Sequence, residues 1–272
     1  MRAKKEIVEF GQCALTELSG KYVKAHIIPK ALTTLTNTGK HAIQTGLNRK
    51  QTKRLDSWYD TNLVIETGEK ILSDIDTKGI SELRKYKLIW SGWDSKWEKL
   101  PQSEFAQYDP SDALSLRSLQ NIDINSLRVF FLSILWRSAA SQRNEMSDIT
   151  LSPNILEKLR LITLSKNAGQ HYVYPIKFHQ ISTRGPLHNR TPILEDHPLL
   201  PEPGSLVEET IPICRLYFNG LVTHIILTEQ PEIAAKFSKL ILGADSDLIV
   251  LTKQYSNSRE LSDVLEIISN GK

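Results

Sequence analysis

Apolar residues along this chain fall into short runs at first, then long helical stripes, then strand-like alternation. Near the start, Ile7 to Phe10 form a brief apolar piece, and "ELSGK" predicts a turn centred on Gly20. "YVKAHIIP" reads as a short strand ended by Pro29. A polar loop follows, then the basic run "NRKQTKR". "NLVIETGEKILSDIDTKGISELRKYKLIW" places Ile71, Leu72, Ile75, Ile80, Leu83 and Leu88 at helical spacing, the pattern of a core-facing stripe.

The stretch "SGWDSKWEKLPQSEFAQYDPSDA" mixes Gly, Pro and Ser with little periodicity and marks a boundary. "INSLRVFFLSILWRSAA", Ile124 to Ala140, carries Leu127, Phe130, Phe131, Ile134 and Leu135 on a broad face and predicts a buried helix. "SPNILEKLRLITLS" predicts a second helix, with Ser152 as its cap and Pro153 in its first turn. Farther on the period shortens to two. "HYVYPIKFHQI" alternates as a half-buried strand does, and "TIPICRLYFNGLVTHIILT" sets two β-rich runs around Asn219-Gly220, the pair suited to a type I′ hairpin turn. "SKLILGADSDLIVLT" supplies a further strand and "SRELSDVLEIIS" a closing helix. The expected class is α+β. A small module spans residues 1–97, and a larger mixed domain spans 98–272, with the buried helix at 124–140 and an antiparallel hairpin at 210–228.

Composition narrows the picture modestly. A length of 272 residues suits one large domain or two modest ones, and 40% hydrophobic with 24% charged residues is ordinary for a soluble protein. No apolar run is long enough to span a membrane, and "MRAKKEIVEF" leads into no signal-peptide core, so a cytoplasmic protein is expected. Cys13 and Cys214 stand alone, so neither a disulfide framework nor a cysteine-based zinc pair is expected. The net charge of +3 is compatible with nucleic-acid binding but does not decide it. No phosphate-binding glycine loop, dinucleotide fingerprint or nucleophile elbow is present.

Among polar side chains, His26 stands at the end of a predicted strand, where it is either a core histidine or a general base titrating near neutrality. Asp60, Asp74 and Asp76 offer hard oxygen atoms, but Asp74 and Asp76 do not share a helix face. Arg49, Lys50, Lys53 and Arg54, with Lys30, are either solvated or phosphate contacts. Trp58, Trp90, Trp93 and Trp97 read as base-stacking platforms or as cover for a core, and the spacing of the last three favours cover. His188, between Arg184 and Arg190 in a Gly- and Pro-bearing loop, is a candidate anion contact. His171, His179, His197 and His224 show no ligand spacing.

Two motif groups add a resemblance. Cys13, "AHIIPK", "YDTNLVIETGE" and Asp76 fall in the order of the pattern C-x-x-C, SHIIPK, YD-x-x-(I/L)-(L/V)-C-x-x-C-E and a downstream Asp. "LRVFFLSILWRSAASQRNEMSDITLSPNILEKLR" looks like the F-x-L-S-L-L-W-R-A-S helix and the segment after it in the same proteins. Over roughly residues 10–165 the chain resembles a bacterial HNH-endonuclease-like family. The resemblance implies a ββα-metal-type module that hydrolyses DNA phosphodiesters with Mg²⁺ or Mn²⁺, in the setting of anti-phage defence. His26 is then the general base and Asn62 its orienter, unless Asn62 is simply a turn residue before a strand. Asp76, with Asp60, is then the metal ligand. Thr16, Ile65 and Gly68 replace three of the four zinc-binding cysteines, so a structural zinc is not expected, and Ala25 stands where many such enzymes carry a metal ligand. The competing expectation is a catalytically degenerate relative that binds DNA or a protein partner, or that assembles with further copies through a C-terminal strand edge.

Overall fold

A computed structural model describes residues 9–33, 42–45, 52–54, 56–110, 114–186, 188–199 and 209–270, with backbone alone at 42–45, 52–54 and 266–270. The architecture is α+β, with five α-helices, one six-stranded sheet and two three-stranded sheets among those residues. None of the described helices is long and apolar enough to cross a membrane.

The chain enters as an antiparallel pair, β1 (Phe10–Gln12) and β2 (Ser19–His26). Strands β3 (Ala42–Thr45) and β4 (Thr52–Arg54) form a separate hairpin. Strand β5 (Tyr59–Ile65) then returns antiparallel to β2, and α1 (Glu66–Lys85) begins at the next residue. The turn expected at Gly20 lies earlier. Residues 13–18 make it, closed by the Cys13 N–H donating to the Leu18 carbonyl at 2.9 Å, with Glu17 at φ 60°. Gly20 instead faces Gly11 across the ladder, and a side chain on Gly11 would strike the Tyr22 ring. These glycines serve close packing, and sequence alone does not separate that use from a turn.

The second half follows as β6 (Ser115–Leu119), α2 (Ile124–Ala140), α3 (Pro153–Ser165), β7 (Ile176–Ile181), β8 (Asn189–Arg190) and β9 (Ile193–Pro198). Then come β10 (Thr210–Phe218), β11 (Leu221–Ile226), α4 (Pro231–Phe237), β12 (Leu248–Lys253) and α5 (Arg259–Asn270). The Asp123 side chain accepts the Ser126 N–H at 3.0 Å to cap α2, and Ser152 accepts the Ile155 N–H to cap α3. The six-stranded sheet runs β6-β12-β7-β11-β10-β9, antiparallel except for β12 beside β7. Asn219 at φ 50° and Gly220 at φ 87° both lie in the left-handed region that a type I′ turn requires.

Helix α2 is buried on every side from Leu127 to Ser138, because α1 and α3 flank it and Phe131 meets Phe178 of β7. One apolar core therefore runs from Cys13 and Ile27 through α2 to Ile225 and Val250. The boundary expected at residue 97 coincides with no break in packing. Trp90 and Trp93 pack with Tyr217, Val222 and Tyr255, and the Trp90 N–H donates to the Asn219 carbonyl at 2.8 Å. Strand β3 also pairs parallel with β8 across the same expected boundary.

At the α1–α2 contact, a Cβ on Gly79 would lie 2.3 Å from Phe130 Cγ. Helix propensity favours alanine there by about 1 kcal/mol, whereas forcing a methyl into a closed contact costs about 1–3 kcal/mol. Gly79→Ala is therefore expected to lower stability in urea unfolding, and a gain would contradict this packing.

Candidate active site

Strand β2 ends at His26, which lies opposite Tyr59 of β5. The ladder shifts register between Val23 and Ala25, so the end of β2 is offset from the α1 end of β5. The His26 carbonyl accepts from Arg137 Nη1 at 2.9 Å. The imidazole is half-buried, and its Nε2 lies 3.2 Å from Asp56 Oδ1. Asp56 also accepts from Lys24 Nζ at 2.5 Å and from the Ser57 N–H at 2.9 Å, with Lys30 Nζ 4.0 Å away. Partial burial pushes the Asp56 carboxyl up, but hydrogen bonds from Lys24, His26 and Ser57 outweigh it and lower it to about 2. Asp56 is thus an anion that accepts from a ring N–H. In that tautomer His26 Nδ1 keeps its lone pair.

Arg137 stands in α2 with its side chain 1% exposed. Its guanidinium grips Asp76 of α1 by two bonds of 3.0 and 2.7 Å, and also reaches Ser133 Oγ. Two helices and the end of β2 therefore meet on one planar cation, a task that fits arginine and not lysine.

A cavity of about 540 Å³ opens beside this junction, with His26, Lys30, Glu69, Asp76 and Arg84 among its walls. Glu69, Asp76 and Arg84 come from α1, whose Ile80 also lines the cavity. Glu69 Oε2 is buried with no hydrogen-bond partner among the described residues. Burial pushes the Glu69 carboxyl up to about 7; Arg137 pulls it down and Asp76 pushes it further up.

The expected site residues separate here. His26, Lys30 and Asp76 converge on the cavity. Asn62 is exposed, does not line the cavity and makes no side-chain bond to the ring; its N–H donates to Asp60 at 2.8 Å. Asp56 takes the place at the imidazole expected for Asn62, because the register shift leaves Asn62 away from the end of β2. Asp60 is buried, accepts the Ser141 hydroxyl at 2.6 Å and lies outside the cavity wall. Asp74 pairs with Lys166 and Lys78 on the surface of α1. Arg49 and Lys50 lie outside the described residues, and Lys53 and Arg54 are described only as backbone of β4. Sequence reasoning passed over Asp56 and Glu69. Glu69 closes the quoted "YDTNLVIETGE", and the position of Asp56 just before Tyr59, the residue opposite His26, was the available signal.

The Mg²⁺ or Mn²⁺ expected from the resemblance fits these donors unevenly. Both Asp76 oxygens are engaged by Arg137, and Asp60 is sealed and hydrogen-bonded elsewhere. Glu69 does fit, with a buried oxygen lacking a partner and an ionised form that needs a nearby positive charge. Such ions require only one or two protein carboxylates when water and substrate phosphates complete the shell. The positions at which the resemblance places a zinc knuckle are held by packing. Cys13 Sγ accepts the Thr16 N–H at 3.4 Å and lies 2.8 Å from where a Gly68 Cβ would stand, and Ile65 closes over Gly20. No family model, curated protein or solved structure matches the chain.

The Glu69 carboxyl generates a pH dependence of fixed sign. Its folded value is raised from 4.5 to about 7, so between these values the folded state holds a proton that the unfolded state has released. Stability contributed by this group is present below pH 4.5 and is lost as pH rises through about 7. The Tm of the wild type minus that of Glu69→Gln is expected to fall across that window and to level off above it. A constant difference would contradict the assignment.

Proposed function

We propose that this chain is an HNH-like phosphodiester hydrolase acting on DNA, with His26 as general base. The observation that carries the reading is the His26–Asp56 pair opening onto a cavity that Lys30, Arg84 and Glu69 share. The order β2, β5, α1 supports it as well, since two antiparallel strands lead directly into the helix that supplies the cavity's acidic wall.

Lys30 and Arg84 hold the scissile phosphate by charge. His26 Nδ1 takes a proton from the attacking water, and Asp56 stabilises the imidazolium that results. Water oxygen bonds to phosphorus as the bond from phosphorus to the leaving oxygen breaks. Glu69 would hold a divalent ion, which would supply positive charge against the negative charge that develops on the phosphate. Asp76 and Arg137 are positioning residues, since they fix the His26 backbone and touch no reacting atom. Lys53 and Arg54 of β4 would add a salt-sensitive, sequence-independent contact to the DNA backbone.

The decisive assay is cleavage of plasmid and linear DNA with Mg²⁺ or Mn²⁺. His26→Ala is expected to reduce cleavage by about 10²–10⁴-fold while DNA binding persists. Undiminished cleavage by that variant would end the nuclease reading. A second reading rests on the commitment of Asp60 and Asp76 to internal partners, which leaves few free acidic ligands. In it the chain binds DNA or a protein without cutting. Wild-type protein inert with both ions yet still retaining DNA would favour it.

A further inference from the structure

The six-stranded sheet turns one face to the main core and the other outward. On the outward face two apolar clusters stand apart, one built around Trp90, Tyr217 and Tyr255, the other around Ile211, Ile213 and Ile226. Between them the central strands carry a polar row. His224 of β11 lies directly across from Lys177 of β7 and Arg215 of β10. His179 lies one step along β7, with Lys253 on β12 beyond it and His197 on β9 at the far side.

This row borders a second cavity of about 250 Å³, separate from the one at His26. Its polar groups are incompletely satisfied. His224 is 8% exposed and its Nδ1 has no hydrogen-bond partner among the described residues; His179 Nε2, also buried, has none among them either. His197 Nε2 is 3.0 Å from Lys177 Nζ, with the His197 and His224 rings 5.3 Å apart. The carboxylates are already committed. Glu260 accepts from Arg215 and His188, and Glu195 takes two bonds from Arg259 at 3.0 and 2.9 Å. Lys253 lines the cavity and has no acidic partner among the described residues. Residues Ser258 to Glu260 also line it, so α5 begins at its rim with the positive end of the helix.

The sign of the field chooses between ligands. Three clustered histidines alone would invite a metal ion, but the lining carboxylates Glu195 and Glu260 are held by Arg259 and Arg215, which leaves Lys253 in the lining and Lys177 beside it as the excess positive charge that repels a cation. Burial, joined by these neighbours, depresses the His179 imidazole to about 3 and that of His224 lower still, so both rings are neutral and each has one N–H to donate. Val222 and Ile181 provide an apolar wall for the body of a small molecule.

We propose that this cavity binds a small phosphomonoester, with Lys253 meeting the phosphate beside the N-terminus of α5 and His179 and His224 donating to its oxygens. The proposal is independent of the nuclease reading, because it is tested by binding alone.

The experiment titrates the full chain, labelled at histidine, with inorganic phosphate and with AMP as probes, following the imidazole resonances by NMR. Both probes are expected to produce saturable shifts at His179 and His224, and AMP the tighter binding. Lys253→Gln, a partly exposed position without an ion pair, is expected to weaken both by about tenfold or more. His224→Gln should weaken binding while the fold, followed by circular dichroism, is retained. Silence of the two histidines at millimolar probe would overturn the proposal. So would equal affinity in Lys253→Gln, or a stoichiometric response to Zn²⁺ in place of phosphate.

Discussion

The buried guanidinium of Arg137 is the constraint on which the corner at His26 depends. It joins α2 to α1 through Asp76 and holds the last carbonyl of β2. A cation sealed at this depth is costly to desolvate, and apolar replacements of such pairs are often neutral or stabilising. Stability alone therefore gives little reason for it. What it provides is geometry, because the planar fork meets three acceptors in fixed directions and an apolar contact does not.

Packing carries the rest of the N-terminal part. Of the positions at which the resemblance places a zinc knuckle, Cys13, Thr16 and Gly68 lie close through van der Waals contact and one weak N–H to sulfur bond, and Ile65 packs on Gly20. The absence of a side chain at Gly68 lets Cys13 Sγ approach Val64 and the start of α1, and Ile65 fills space above Gly20. Volume and contact supply there what coordination bonds supply in a zinc knuckle.

Elements governed by local chemistry were legible in the sequence. The helix at Ile124–Ala140, the Ser152 cap and the Asn219-Gly220 hairpin each depend on neighbours a few residues away. Features that depend on register were not. Gly20 reads as a turn and is a strand residue packed on its partner; Asn62 falls on the far side of a ladder shift; Asp56 comes to His26 through the fold. The histidine row was hidden for the same reason, since His179, His197 and His224 become neighbours only when β7, β9, β10 and β11 pair in their particular order. The division at residue 97 was drawn from composition, yet the tryptophans on either side of Gly92 close the core of the sheet beyond it.

The most direct test replaces the whole Arg137–Asp76 pair by apolar residues, Arg137→Met with Asp76→Leu, and measures DNA cleavage at matched folded fraction. On the proposed nuclease reading, if the pair exists to position His26, the double variant folds but cleaves about 10²-fold more slowly, the loss that a shift of about 1 Å in a reacting group produces. Cleavage at the wild-type rate by the folded double variant would contradict the account.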